Sequence, residues 1–325
     1  MNIATIHNEV IEKLKADGTS VKNRRKTIAK LAKSLAKPKS PLLPMLRHRK
    51  AWFSTTQTVT IAADGGARVQ TLGIEVGEVS LNRSTSEPFY EFKPTEKHRK
   101  ELEFPEGPWK WSHHQKDGYT IRDYLSKCRD IDRANAENER EIQWQLADAL
   151  RSTRHAALRH LQPVTWNSCF TELGVAVNLK GESGTGNIDL AVRRGKGGQR
   201  GFLMFELKKP GENEVEIALQ QALRYATALN WEANTESEDN RRNYHSVLGS
   251  GARNFLKIGA VVVLEDDDRG IVRRNAPDIL KNYWAERGDS QIDRLGVLLY
   301  KFDREHNKVT SWKWLDWWDA RNKPL

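Results

Sequence analysis

The stretch IGAVVVL at 258–264 contains no polar side chain. A strand this apolar must be covered on both faces, which makes it a central strand with helices above and below the sheet. The chain around it alternates. Strand patterns occur at 173–179, 187–192, 202–208 and 295–300, and helical patterns at 133–160 (broken near Ser152), 213–230 and 276–287. Alternation of this kind predicts an α/β fold, a mixed β-sheet flanked by helices. Pro210 cuts off the strand at 202–208, and 234–254 reads as a long polar connection.

The first part of the chain is different in charge. The whole sequence carries 53 Lys and Arg against 43 Asp and Glu. Residues 1–50 hold thirteen of the basic residues and three of the acidic ones, so nearly all the net charge of +10 lies there. An amphipathic helix is expected at 2–16, with Ile3, Ile6, Val10, Ile11 and Leu14 as its apolar stripe. A basic helix then starts near residue 22 and ends before Pro38, Pro41 and Pro44. Clustered Lys and Arg attract polyanions by counterion release. Arg24, Arg25, Lys26, Lys30 and Lys33 are therefore candidate nucleic-acid contacts, with an oligomerisation arm as the alternative. Residues 51–80 predict a hairpin, with strands at 58–62 and 69–76 around Asp64-Gly65-Gly66. Residues 81–120 give weak signals. Residues 1–130 thus read as a basic α+β module and 131–325 as a second domain.

The chemistry-bearing residues lie on two neighbouring strand patterns. Asp189 belongs to the first, NIDLAV at 187–192. Glu206 and Lys208 belong to the second, two residues apart, so both side chains project from one face of that strand while Phe205 and Leu207 project from the other. Two carboxylates suit a hard cation such as Mg²⁺, with Mn²⁺ as a substitute. A metal-activated water, with Lys208 to offset developing negative charge, is what phosphodiester hydrolysis requires. On the following helix Gln221 and Tyr225 are four residues apart and share a face.

These residues resemble the PD-(D/E)XK nuclease superfamily, in which an Asp on one strand precedes Glu-x-Lys on the next. Gln221-x-x-x-Tyr225 is similar to the Gln-x-x-x-Tyr motif of its RecB-like members. Ile188 stands where a proline commonly precedes the Asp. The resemblance spans about residues 131–300. It implies a restriction-endonuclease-like fold and Mg²⁺-dependent cleavage of DNA, with RNA as a less favoured substrate. It also implies supporting roles for Gln221 and Tyr225 and one further acid on the first core helix. Glu139 is chosen over Glu141 for that role, because Ile142 and Leu146 follow it at helical spacing; Glu172 is a further candidate. An inactive nucleic-acid-binding or assembly protein on the same fold is the alternative class.

Other features read as structural. His113 and His114 have no ligand partners at suitable spacing. The Trp312, Trp314, Trp317 and Trp318 cluster is expected to cover the core. The acidic run 265–268 is expected to be a solvated turn. Cys128 and Cys169 are too few and too far apart for a disulfide framework, which points to a reducing, cytoplasmic setting. The sequence has no apolar run long enough for a membrane span and no secretory-signal pattern over 1–20, so no membrane partner is expected; a homo-oligomer remains compatible.

Overall fold

The computed structural model describes residues 3–36, 57–61, 67–71, 74–82, 84, 86, 89–110, 116–134, 138–151, 158, 169–175, 186–194, 201–235, 237–247, 257–267, 270–285 and 292–319. In chain order the elements are α1 (Ile3–Ala16), α2 (Gly18–Ala36), β1 (Gln57–Ile61), β2 (Ala67–Thr71), β3 (Ile74–Asn82), β4 (Phe89–Pro94), α3 (Glu96–Glu101), β5 (Trp109–Lys110), α4 (Lys116–Ala134), α5 (Asn138–Arg151), β6 (Cys169–Val175), β7 (Gly186–Arg194), β8 (Gly201–Leu207), α6 (Val215–Asn234), α7 (Glu238–Val247), β9 (Lys257–Glu265), α8 (Ile271–Ala285), β10 (Ile292–Asp303) and β11 (Lys308–Asp319). The fold is mixed α/β with two sheets. The chain divides into two compact units, Met1–Ala29 with Glu141–Leu325, and Lys30–Arg140. No described helix is long and apolar enough to cross a membrane.

The larger unit contains a six-stranded sheet in the order β11-β10-β9-β8-β7-β6. β6, β7 and β8 pair antiparallel, β8, β9 and β10 pair parallel, and β11 returns antiparallel on β10. β9 is central, as its composition demands. From α5 to β9 the principal elements run α-β-β-β-α-β, with α7 added after α6. Ile142, Leu146 and Leu150 of α5 share a core with Leu190, Val192, Phe205, Leu207, Val261, Val263, Leu298 and Tyr300. These sheet residues alternate with Glu206 and Val262, so the opposite face is left for α6, which packs on β7 to β10.

The smaller unit is an antiparallel meander, β1-β2-β3-β4-β5, covered by α4. Phe92, Trp109 and Tyr124 form its aromatic centre, with ring centroids 5.2–5.9 Å apart. Gly77 is required there: a Cβ on it would lie 2.3 Å from the Phe92 ring.

Several expectations are corrected. The 1–130 module is divided: Ile3, Ile6, Val10 and Leu14 of α1 are buried, α1 packs on α6, and Glu9 pairs with Arg224 of that helix at 2.7 Å. The helix expected at 133–160 is α5, and the residues before it end the separate helix α4, which the weak-signal region partly concealed. The strand expected at 69–76 is two strands, β2 and β3, that pair with each other. The polar connection at 234–254 contains α7. Expected strand residues 176–179 and the His113–His114 pair lie outside the described residues.

Candidate active site

The site forms where two strands part. The β7–β8 ladder runs from Arg194 opposite Gly201 to Leu190 opposite Phe205, and then stops. The next positions are Asp189 and Glu206. Beyond them the Leu207 amide is satisfied by a side chain: Asp189 Oδ2 accepts it at 2.7 Å. The aspartate therefore caps the open end of the ladder, beside Glu206. On the other edge of β8 the Lys208 amide donates to the Val263 carbonyl of β9 at 3.1 Å. One backbone segment is thus held from both sides.

Glu206 and Lys208 project from the same face, and Lys208 Nζ lies 3.0 Å from Glu206 Oε1. Both side chains are largely enclosed, 9% and 17% exposed for Glu206 and Lys208. A carboxylate this buried requires compensation, because desolvation of an unpaired charge costs several kcal/mol. The chain beyond Lys208 is also fixed. Tyr300 Oη donates to the Lys208 carbonyl at 2.8 Å, and the Gly211 amide donates to Glu265 Oε2 at 2.9 Å. Gly211 has φ of +92°, a conformation that favours glycine.

The structure brings Asp189, Glu206 and Lys208 together. Gln221 and Tyr225 are half-buried on α6, the helix that covers β7 to β10, and Gln221 Oε1 is enclosed with no hydrogen-bond partner among the described residues. Their neighbours face elsewhere: Gln220 reaches Tyr283 of α8 and Arg224 reaches Glu9 of α1.

The expected third acid is corrected. Among the described residues, no group of three or more His, Cys, Asp or Glu side chains that could hold a metal ion is found, and the helix-face choice of Glu139 over Glu141 does not stand. Glu141, not Glu139, is the buried acid of α5, and Gln145 donates to it at 2.6 Å. The helix-face reasoning failed because α5 is buried at Glu141, Ile142, Gln143 and Trp144 in succession, so a single stripe does not define its inner side. The residue by which α5 reaches the site is Gln143, whose amide donates to the Asp189 carbonyl at 2.5 Å. A polar residue amid buried positions was its only trace in the sequence. The side chain of Glu172 lies outside the described residues.

The basic candidates also divide. The Arg25 guanidinium lies 4.9 Å from the Trp231 ring centre and donates to Thr235 Oγ1 at 2.8 Å. Arg24 is half-buried and, with Arg25, acts on the buried Glu232–Tyr244 pair, whose hydrogen bond is 2.7 Å. Burial, then the adjacent Glu232, push the Tyr244 phenol far up; the two arginines oppose that shift. Arg25 is therefore engaged with Trp231 and Thr235 at the end of α6, and Arg24 is close enough to the Glu232–Tyr244 pair to oppose that shift. Lys26 and Lys33 are exposed, and the Lys30 side chain lies outside the described residues.

Trp312 and Trp314 pack against the core as expected, while the side chains of Trp317 and Trp318 lie outside the described residues. The acidic run is not a solvated turn: Glu265 and Asp266 are 8% exposed and each is engaged by an arginine.

Comparison with family models, characterised proteins and solved structures finds no match.

Proposed function

We propose that this chain is a divalent-metal-dependent nuclease of the PD-(D/E)XK type that hydrolyses phosphodiester bonds in DNA. The observation that carries the reading is the parting of β7 and β8 at Asp189 and Glu206, with Lys208 3.0 Å from Glu206. The α-β-β-β-α-β order, with the second and third strands supplying Asp and Glu-x-Lys, supports a restriction-endonuclease-like core. Gln221 and Tyr225 on the next helix add a second, independently spaced feature.

Mg²⁺ fits this donor set: it takes carboxylate oxygens and keeps several waters, so Asp189 and Glu206 suffice as protein ligands. When bound, the ion supplies an activated water and offsets charge on the scissile phosphate. The chain's own groups do the rest. Asp189, tied through its carboxylate to the Leu207 amide and through its carbonyl to Gln143, holds a fixed position. Lys208 keeps an ammonium beside Glu206, where it stabilises negative charge developing on phosphate oxygen. Val263 and Tyr300 fix the Lys208 backbone, so this charge is preorganised.

The test is incubation with linear, circular and single-stranded DNA, and with RNA, in Mg²⁺, Mn²⁺ or EDTA. Cleavage should need the metal and disappear in Lys208→Ala, while DNA binding persists. Binding with no metal-dependent cleavage of any substrate would replace the nuclease by a binding protein on the same fold.

A further inference from the structure

Parallel strands β8, β9 and β10 end on the same side of the sheet, and the candidate site lies at the end of β8. The acids at the end of β9 do not face solvent alone. Glu265 is paired with Arg304 of the β10–β11 turn, Nη1 to Oε1 and Nη2 to Oε2, both at 3.0 Å. Asp266 is paired with Arg273, in the first turn of α8, through Nε and Nη2. In each pair the carboxylate is inside and the guanidinium outside. The carboxylate side chains are 11% and 4% exposed, the arginines 61% and 42%.

We infer that Arg273 and Arg304 form a rim that binds the phosphate backbone of the polynucleotide on the Lys208 side of the sheet. This rests on the nuclease reading and deepens it by assigning substrate contacts. A guanidinium has five donors in a rigid fork. Each buried carboxylate takes two, and the guanidinium of each pair stands on the exposed side. Anchoring removes much of the side-chain freedom that a surface arginine would lose on binding. Each pair is neutral overall, but its negative end is buried, and Glu265 also accepts from the Gly211 amide. The outward pole is positive. Glu265 thus joins the rim to the turn that follows Lys208, so a backbone seated on the arginines runs toward the catalytic lysine. Ends of parallel strands are also where α/β sheets take ligands.

The experiment measures binding of a fluorescent DNA duplex by full-length protein in EDTA over a series of salt concentrations, where cleavage does not enter. Removing one arginine alone would strand a buried carboxylate, so the variants are paired: Glu265→Gln with Arg304→Gln, and Asp266→Asn with Arg273→Gln. Circular dichroism checks the fold, and Lys127→Ala in the smaller unit is the control. Each folded double variant should bind at least about fivefold more weakly at moderate salt. Each should also lower the salt-dependence slope by about 1, the value for one lost phosphate contact. If a paired variant fails to fold, Arg304→Lys and Arg273→Lys, which keep the charge but lose the fork, should still weaken binding, and unchanged binding would overturn the rim. Unchanged affinity and slope in folded paired variants overturn it too, as does a wild-type chain that binds no DNA at low salt. The two readings fail separately. Metal-dependent cleavage with rim-independent binding sinks the rim alone, and rim-dependent binding with no cleavage sinks the nuclease alone.

Discussion

In the five-stranded sheet the acids stay near solvent: Glu75 pairs with Arg68 at 3.5 Å, and Glu91 accepts from Ser80 and Asn82. The six-stranded unit does the reverse. Among the described residues every buried carboxylate belongs to it: Glu141, Glu206, Glu232, Glu265 and Asp266. The smaller unit needs no buried acid to be stable, because Phe92, Trp109 and Tyr124 supply aromatic area and edge contacts. Buried carboxylates cost desolvation that an apolar residue would avoid. Three of the five gather at the ends of β8 and β9, where Lys208, Arg304 and Arg273 meet them. Their concentration at one end of one sheet is the asymmetry that the proposed chemistry at that end would account for.

The comparison can be broken most sharply by neutralising the acids at the site. Glu206→Gln or Asp189→Asn should lower metal-dependent cleavage by roughly a thousandfold, measured by product formation, with the fold intact by circular dichroism. Retained cleavage would mean that the buried acids of this sheet serve structure only. The converse test is in the aromatic unit. Phe92→Ala should cost about 3–5 kcal/mol, read as an unfolding transition, while the candidate site still binds Mn²⁺.

A buried acid away from the sheet end sharpens the distinction. Tyr244→Phe removes the hydroxyl that serves Glu232 and should cost about 1–3 kcal/mol in denaturant unfolding, without changing cleavage per folded molecule. The smallest effect is expected at His7, whose pKa burial lowers from 6.5. Its folded-state pKa lies below its unfolded value, so its neutral form contributes stability that is full above pH 6.5. That stability is lost as the pH falls through the lowered value. Unfolding midpoints between pH 7.5 and 5 should therefore fall less in His7→Asn than in wild type.

Much of the six-stranded unit was legible in the sequence. Continuous apolar residues marked β8 and β9, Pro210 marked the end of β8, and the period of two placed Glu206 with Lys208 and opposite Phe205 and Leu207. What the sequence hid depends on partners distant along the chain. The charge of Glu265 looks like turn chemistry until Arg304, 39 residues later, folds back on it. Arg25 looks like a surface cation until Thr235, 210 residues away, accepts its hydrogen bond. Helix periodicity ranks Glu139 above Glu141 and passes over Gln143 because α5 is enclosed on more than one side, which erases the stripe that periodicity relies on. The helices α4 and α7 are polar enough to have passed for connections.

Titration with Mn²⁺, followed by electron paramagnetic resonance, tests the central claim most directly. Wild-type protein should take up the ion saturably, and folded Asp189→Asn with Glu206→Gln should lose that uptake. Equal uptake by both proteins would contradict a metal site at the parting of β7 and β8.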